Sequence, residues 1–185
     1  MKKILSLLVL IFLANSFSGC EKDDICDPNT TTTPRLMIKF YDFNNRSVAK
    51  NVNNLKVTAI GSENAIIFSP NATNDARYLT SANEIAVPLN IAGDVVDYKF
   101  LLNAGTNDAT PLTDQLQFNY SRNTLYISRA CGYSVFFKLN EGNSLPDAII
   151  LNGVENQTEG NWIKDITVEN YNLTSENETH LKIYF

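Results

Sequence analysis

Apolar and polar residues alternate with a period of two along most of the chain after Arg35. That spacing belongs to strands with one buried face, not to helices. Leu36, Ile38 and Phe40 alternate with Met37, Lys39 and Tyr41, and Asp42-Phe43-Asn44-Asn45 ends the run with turn formers. Leu55, Val57 and Ala59 form a second run before Gly61, and Ala65 to Phe68 is a short apolar run before Pro70. Ile85, Val87 and Leu89 alternate around Pro88, whose missing N–H predicts an edge strand or a bulge. Tyr98, Phe100 and Leu102 follow, and then Leu116, Phe118 and Tyr120. Ser121-Arg122-Asn123 reads as a hairpin turn into a strand over Leu125 to Arg129, with Cys131-Gly132 as an interruption. Tyr133, Val135, Phe137 and Leu139 continue on one face. Ala148 to Leu151 is short and apolar, Asn152 to Asn161 polar and expected to be exposed. Trp162 to Tyr171 alternates around Ile166 and Val168, and Leu181, Ile183 and Phe185 form a last strand tied into a sheet. Eight to ten short strands without a long helix predict an all-β fold, a single β-sandwich, immunoglobulin-like or related.

Residues 1–34 break this pattern. Lys2 and Lys3 precede an apolar run from Ile4 to Ala14, and small residues Ser18 and Gly19 lead into Cys20. Charged head, apolar middle and small-residue end are the order of a secretory signal peptide. The run is short of the roughly 20 residues of a membrane span. Cys20 after Ser18-Gly19 resembles the bacterial lipobox, with Phe17 where Leu is usual. The resemblance implies cleavage before Cys20 and acylation of its thiol. Cys20-Glu21-Lys22-Asp23-Asp24 resembles the surface-export signal of Bacteroidota lipoproteins, which implies an outer-membrane lipoprotein facing the cell exterior. The plainer reading of Lys22, Asp23 and Asp24 is a solvated acidic tether. Asp27 to Pro34 has two prolines and no apolar period, as a linker does. The expected organisation is a signal peptide over 1–19, a lipid-anchored tether over 20–34 and a β-sandwich domain over 35–185.

Charge and cysteine usage add to this picture. The 185 residues hold 15 basic and 20 acidic side chains, a net charge of −5. Removing residues 1–19 takes two lysines and no carboxylate, so the mature chain is more acidic still. Such a chain repels nucleic acid, and no basic patch reverses this. With Cys20 acylated, Cys26 and Cys131 remain, and an oxidising compartment invites one bridge between them. It would close a loop of about 100 residues, on the order of 4–5 kcal/mol in the chain-entropy picture. Two free buried thiols are the other possibility.

Little in the chain suggests catalysis. The single histidine, His180, has Glu178 two residues away but no nucleophile in a recognisable elbow. Glu155 with Glu159, or Glu176 with Glu178, could imitate a glycosidase pair, yet both pairs fall in polar stretches that read as solvated surface. No metal-ligand spacing, calcium loop or phosphate loop is present, so no catalytic residue, metal or cofactor is expected. Arg129, beside Tyr126 and Tyr133, could bond loop carbonyls or anchor an interface. Trp162 could be a core tryptophan or an exposed platform for a sugar or a partner.

Tyr126 to Tyr133, with its Arg-Ala-Cys-Gly-Tyr core, and Asn177 to Phe185 carry a further resemblance. With Cys20 to Cys26 and Pro34 to Tyr41, they resemble an uncharacterised family of small Bacteroidota surface lipoproteins, a domain of unknown function. The resemblance implies a compact extracellular β-domain beside an outer-membrane β-barrel protein. The expected function is non-enzymatic. The lipoprotein would be held in the bilayer by acylated Cys20, as an accessory subunit of a barrel complex for outer-membrane protein assembly, transport or secretion. The alternative is a glycan- or ligand-binding module, with Arg129, Tyr133 and Trp162 as candidate contacts.

Overall fold

The computed structural model describes residues 25–27, 30, 32–105, 109–141, 146–154, 157 and 159–185. The expected signal peptide, Cys20, Lys22, Asp23 and Asp24 lie outside the described residues, as does Glu155.

Two sheets pack face to face. The first joins β1 (Leu36–Tyr41), β4 (Glu84–Val87), β9 (Asp165–Val168) and β11 (Leu181–Tyr184) in the order β4-β1-β11-β9. The second contains β2 (Leu55–Ala59), β3 (Leu79–Thr80), β5 (Val95–Leu102), β6 (Leu112–Ser128), β7 (Gly132–Leu139) and β10 (Asn172–Leu173). Their order is β10-β7-β6-β5-β2-β3. A short strand, β8 (Ile149–Leu151), pairs with β6 off this path, and one 3-10 turn (Asn74–Tyr78) precedes β3. The all-β sandwich is thus as the alternation predicts.

The periodicity explains the layers. Leu36, Ile38 and Phe40 of β1 and Leu181 and Ile183 of β11 face inward against Leu55, Val57, Phe100, Leu116 and Phe118 of the second sheet, all fully buried. β11 is central, parallel to β1 and antiparallel to β9. β4 is an edge, as Pro88 just beyond it requires. Trp162 joins the same core. Its ring meets Phe185 edge-on at 5.5 Å, and its indole N–H donates to the Phe100 carbonyl at 3.3 Å. The idea of an exposed Trp162 platform is therefore corrected: the residue is 3% exposed.

A second correction concerns the hairpin. Ser121-Arg122-Asn123 is not a turn. β6 runs through it without a break to Ser128, and the chain reverses over Arg129 to Cys131. The reversal falls where Gly132 takes a φ of +69°, a conformation that glycine adopts without steric cost. No Gly or Pro interrupts Leu112 to Ser128, so nothing in the backbone opposes a long strand. The polar residues there are exposed because β6 has left the sandwich.

Candidate functional site

The outer half of β6 and the facing half of β7 project from one end of the second sheet. β5 accompanies β6 only to Asn119, and β8 only over Leu116 to Phe118. From Tyr120 to Ser128 the sole strand partner of β6 among the described residues is β7. Ser121 to Tyr126 are all exposed. Eight residues beyond Tyr120 give the projection a length of roughly 25 Å.

Its register determines what it offers. Leu139 lies opposite Tyr120, Phe137 opposite Arg122, Val135 opposite Thr124 and Tyr133 opposite Tyr126. The face that packs into the core at Tyr120, Phe137 and Leu139 continues outward as Thr124 and Val135 and ends in Tyr126 and Tyr133. Those two rings meet edge-on at 5.3 Å and are 56% and 70% exposed. Leu125, on the opposite face, is 45% exposed. The tip is therefore apolar on both sides.

The same register leaves one edge open. The Tyr120 N–H donates to the Asp94 carbonyl at 3.0 Å, on the side away from β7. Backbone groups of an antiparallel strand alternate between its two sides, so Arg122, Thr124 and Tyr126 turn theirs the same way. No described strand pairs with β6 there. At the base of this edge the Arg122 guanidinium donates to Asp94 Oδ1 at 2.6 Å and to the Ile91 carbonyl at 2.7 Å, fixing the hairpin to the body.

The opposite edge, that of β7, is partly covered by the N-terminal segment. Cys26 and Cys131 are disulfide-bonded, which joins the start of the described chain to the hairpin turn. Thr30 Oγ1 lies 3.7 Å from Cys131 Sγ, and the Val135 N–H donates to Thr33 Oγ1 at 2.9 Å. Thr30 and Thr33 thus lie against the tip and against β7, and buried Pro34 leads to β1. Ile25, next to Cys26, is 83% exposed. Of the residues singled out from sequence, Cys26, Cys131, Arg129 and Tyr133 meet at this tip, with Arg129 exposed in the turn. Trp162 does not belong to it. At the hairpin base lies a cavity of about 280 Å³, lined by Arg122, Asn123, Phe136, Lys138, Asn172 and Thr174 among others.

The residues suited by type to acid–base chemistry make contacts within the body. His180 is buried. Its Nδ1 accepts from the Met37 N–H at 3.0 Å, and its backbone N–H donates to the Met37 carbonyl at 3.0 Å. Burial pushes its pKa down, and Nε2 has no hydrogen-bond partner among the described residues. Glu176 is held by Arg35 through a side-chain bond of 2.8 Å, which outweighs burial and keeps its carboxyl low. Glu178 accepts from Asn170, and Glu159 pairs with Lys164. Among the described residues no three His, Cys, Asp or Glu side chains gather as a metal site would require.

Asp114 is a buried group with a signal in the sequence that alternation alone passes over. It occupies the inward parity shared by Leu116, Phe118 and Tyr120. Its Oδ1 accepts from the Asn161 N–H at 2.7 Å and from Asn152 Nδ2 at 2.9 Å. Its Oδ2 accepts from the N–H groups of Trp162 at 2.9 Å and Ile163 at 3.0 Å. Burial pushes this carboxyl up, but the donors together outweigh burial and hold it below the usual range. A Cβ added at Gly160 would lie 2.4 Å from Asp114 Oδ1, so this close turn requires glycine. The carboxylate holds Trp162 in the core.

Residues 54–185 match the model of a family of unknown function, DUF6452, and the chain belongs to that family. No curated protein and no solved structure matches it. The hairpin and Cys131 lie inside the matched span, whereas Cys20 and Cys26 precede it.

Proposed function

We propose that this chain is a non-enzymatic surface lipoprotein of the outer membrane, an accessory subunit that docks on a β-barrel protein through the open edge of its projecting hairpin. The observation that supports the reading is that edge. Arg122, Thr124 and Tyr126 offer N–H and C=O groups that no described strand pairs, beyond the reach of β5, and such a row is a template for another strand. Soluble proteins ordinarily cover or shorten an edge of this kind.

The mechanism is confinement followed by strand addition. An acyl chain on Cys20 holds the protein in the membrane plane and raises its effective concentration near a barrel. The Cys26–Cys131 bond ties the tether to the hairpin turn, so the anchor acts on the contact element directly. The sandwich serves as the rigid body from which the hairpin extends. A glycan-binding role loses Trp162 to the core and would have to use the cavity at the hairpin base.

The test is affinity purification of the tagged protein from mildly solubilised outer membranes, read by mass spectrometry. One barrel protein at constant ratio is expected, and recovery of the lipoprotein alone would refute the docking reading. Thr124→Pro sharpens the test. It removes an N–H on the open side and leaves the β7 ladder intact, so the variant should fold and lose the barrel.

A further inference from the structure

We infer that the hairpin tip is a membrane-contacting foot: Ile25, Leu125, Tyr126 and Tyr133 rest in the lipid interface of the bilayer that holds the protein's own anchor. The inference deepens the reading above and rests on its acylated Cys20.

Three observations carry it. The first is reach. Six residue steps separate Cys20 from Cys26, and an extended chain spans at most about 20 Å over that distance. Cys26 is bonded to the hairpin turn, so the turn cannot stand much farther than this from the acylated residue, whatever path the chain takes. The opposite end of β6 lies some 14 residues from Tyr126, roughly 45 Å away along the strand. One end of the sandwich is thereby committed to the membrane.

The second is chemistry. Tyrosine combines an apolar ring with a hydroxyl, and its favoured place in membrane proteins is the boundary between acyl chains and headgroups. Two tyrosines stand together at the tip, with Leu125 behind them and Ile25 across the disulfide. At Tyr120, Phe137 and Leu139 the same face lies in the core, whereas no described strand faces the two rings at the tip.

The third is charge. The chain as a whole is acidic, but no Asp or Glu occurs between Asp114 and Glu141. The hairpin therefore brings no carboxylate of its own against headgroup phosphates, and the acidic residues beside it in the chain, Glu21, Asp23, Asp24 and Asp27, belong to the tether. A lipid surface fits this tip better than a cationic protein surface, which an acidic tip would have suited.

The test uses the mature lipoprotein reconstituted in phosphatidylcholine–phosphatidylglycerol vesicles containing brominated acyl chains. Tyr126→Trp places a reporter at the tip, and Thr110→Trp places one at the far end, where position 110 is also exposed. Native Trp162 gives both variants the same buried background. The indole introduced at position 126 should lose most of its emission to bromine, and the indole at position 110 none. Joint replacement Cys26→Ser and Cys131→Ser should restore much of the emission from position 126, because the anchor then no longer holds the tip down. Equal quenching at both ends, no quenching at position 126, or quenching unaffected by loss of the bridge would each overturn the foot. The intact mass separates the two levels of failure. A mature chain without added acyl mass removes the anchor and the foot together, whereas an acylated chain left unquenched at position 126 removes the foot alone.

Discussion

From Leu112 to Asn119, β6 pairs with β5, β8 joins its other side over Leu116 to Phe118, and Asp114, Leu116, Phe118 and Tyr120 turn into the core. From Ser121 to Ser128 the same strand has β7 on one side and no described strand on the other, and its exposed residues are Ser121, Arg122, Asn123, Thr124, Leu125 and Tyr126. The strand continues unbroken across the boundary, but what the side chains meet changes completely. The inner half carries the stability of the fold, whereas the outer half contributes little to it and is held by covalent and polar ties at its two ends. Those ties are the disulfide at the turn and Arg122 with Asp94 at the base. A stretch that adds little stability yet is tethered so firmly is best understood through what it touches outside the molecule.

The contrast can be tested by substitution, beginning with the largest effects. Phe118→Ala opens a cavity in the inner half and should cost about 3–5 kcal/mol in urea unfolding. Asp114→Ala leaves the N–H groups of Asn161 and of buried Trp162 and Ile163 without their acceptor, at a cost of roughly 3 kcal/mol or more. Because the Asp114 pKa is lowered in the folded state, its contribution is present above the unfolded value of about 4 and fades as pH falls through the folded one. Cys131→Ser should cost on the order of 4 kcal/mol by the loop-entropy argument, a loss that belongs to the staple and not to packing at the tip. His180 supplies a milder acid effect. Burial lowers its pKa, so stability is full above its unfolded value of about 6.5 and declines as pH falls below it. His180→Asn keeps an acceptor for the Met37 N–H and should flatten that slope below about pH 6.5 in a series of urea titrations. Tyr126→Ala, at the tip, should change stability by no more than about 0.5 kcal/mol. A large loss there would mean that the outer half is a structural element after all.

The inner half of β6 was legible in the sequence because burial writes itself as alternation. Leu116, Phe118 and Tyr120 could be assigned to one face without coordinates, and so could Leu36, Ile38 and Phe40 of β1. The outer half was not legible for the same reason. Once the strand leaves the sandwich, its pattern stops alternating between apolar and polar, and Ser121-Arg122-Asn123 then resembles a turn. The true turn carried its own signal in Gly132, which sits beside the bridged Cys131. The pairing of Cys26 with Cys131 was one of two readings, reached by setting Cys20 aside for acylation, and the structure bears it out over two free thiols. Trp162 was ambiguous because the polar loop before it suggests exposure. The N–H groups of Trp162 and Ile163 fold onto Asp114, and the contact with Trp162 spans 48 residues of sequence. Asp114 itself stood at an inward position of a strand, and a carboxylate there signals a buried acceptor needing several donors.

The most direct test of the docking edge is site-specific photo-crosslinking in intact cells, with a photoreactive residue at position 124 or at position 110. Position 124 lies on the projecting half of β6 and position 110 just before its inner end, both exposed and far apart. A barrel protein crosslinked from 124 and not from 110 is the predicted result. Crosslinking from 110 with none from 124 would contradict the account, because the partner would then bind the body and leave the hairpin edge unused.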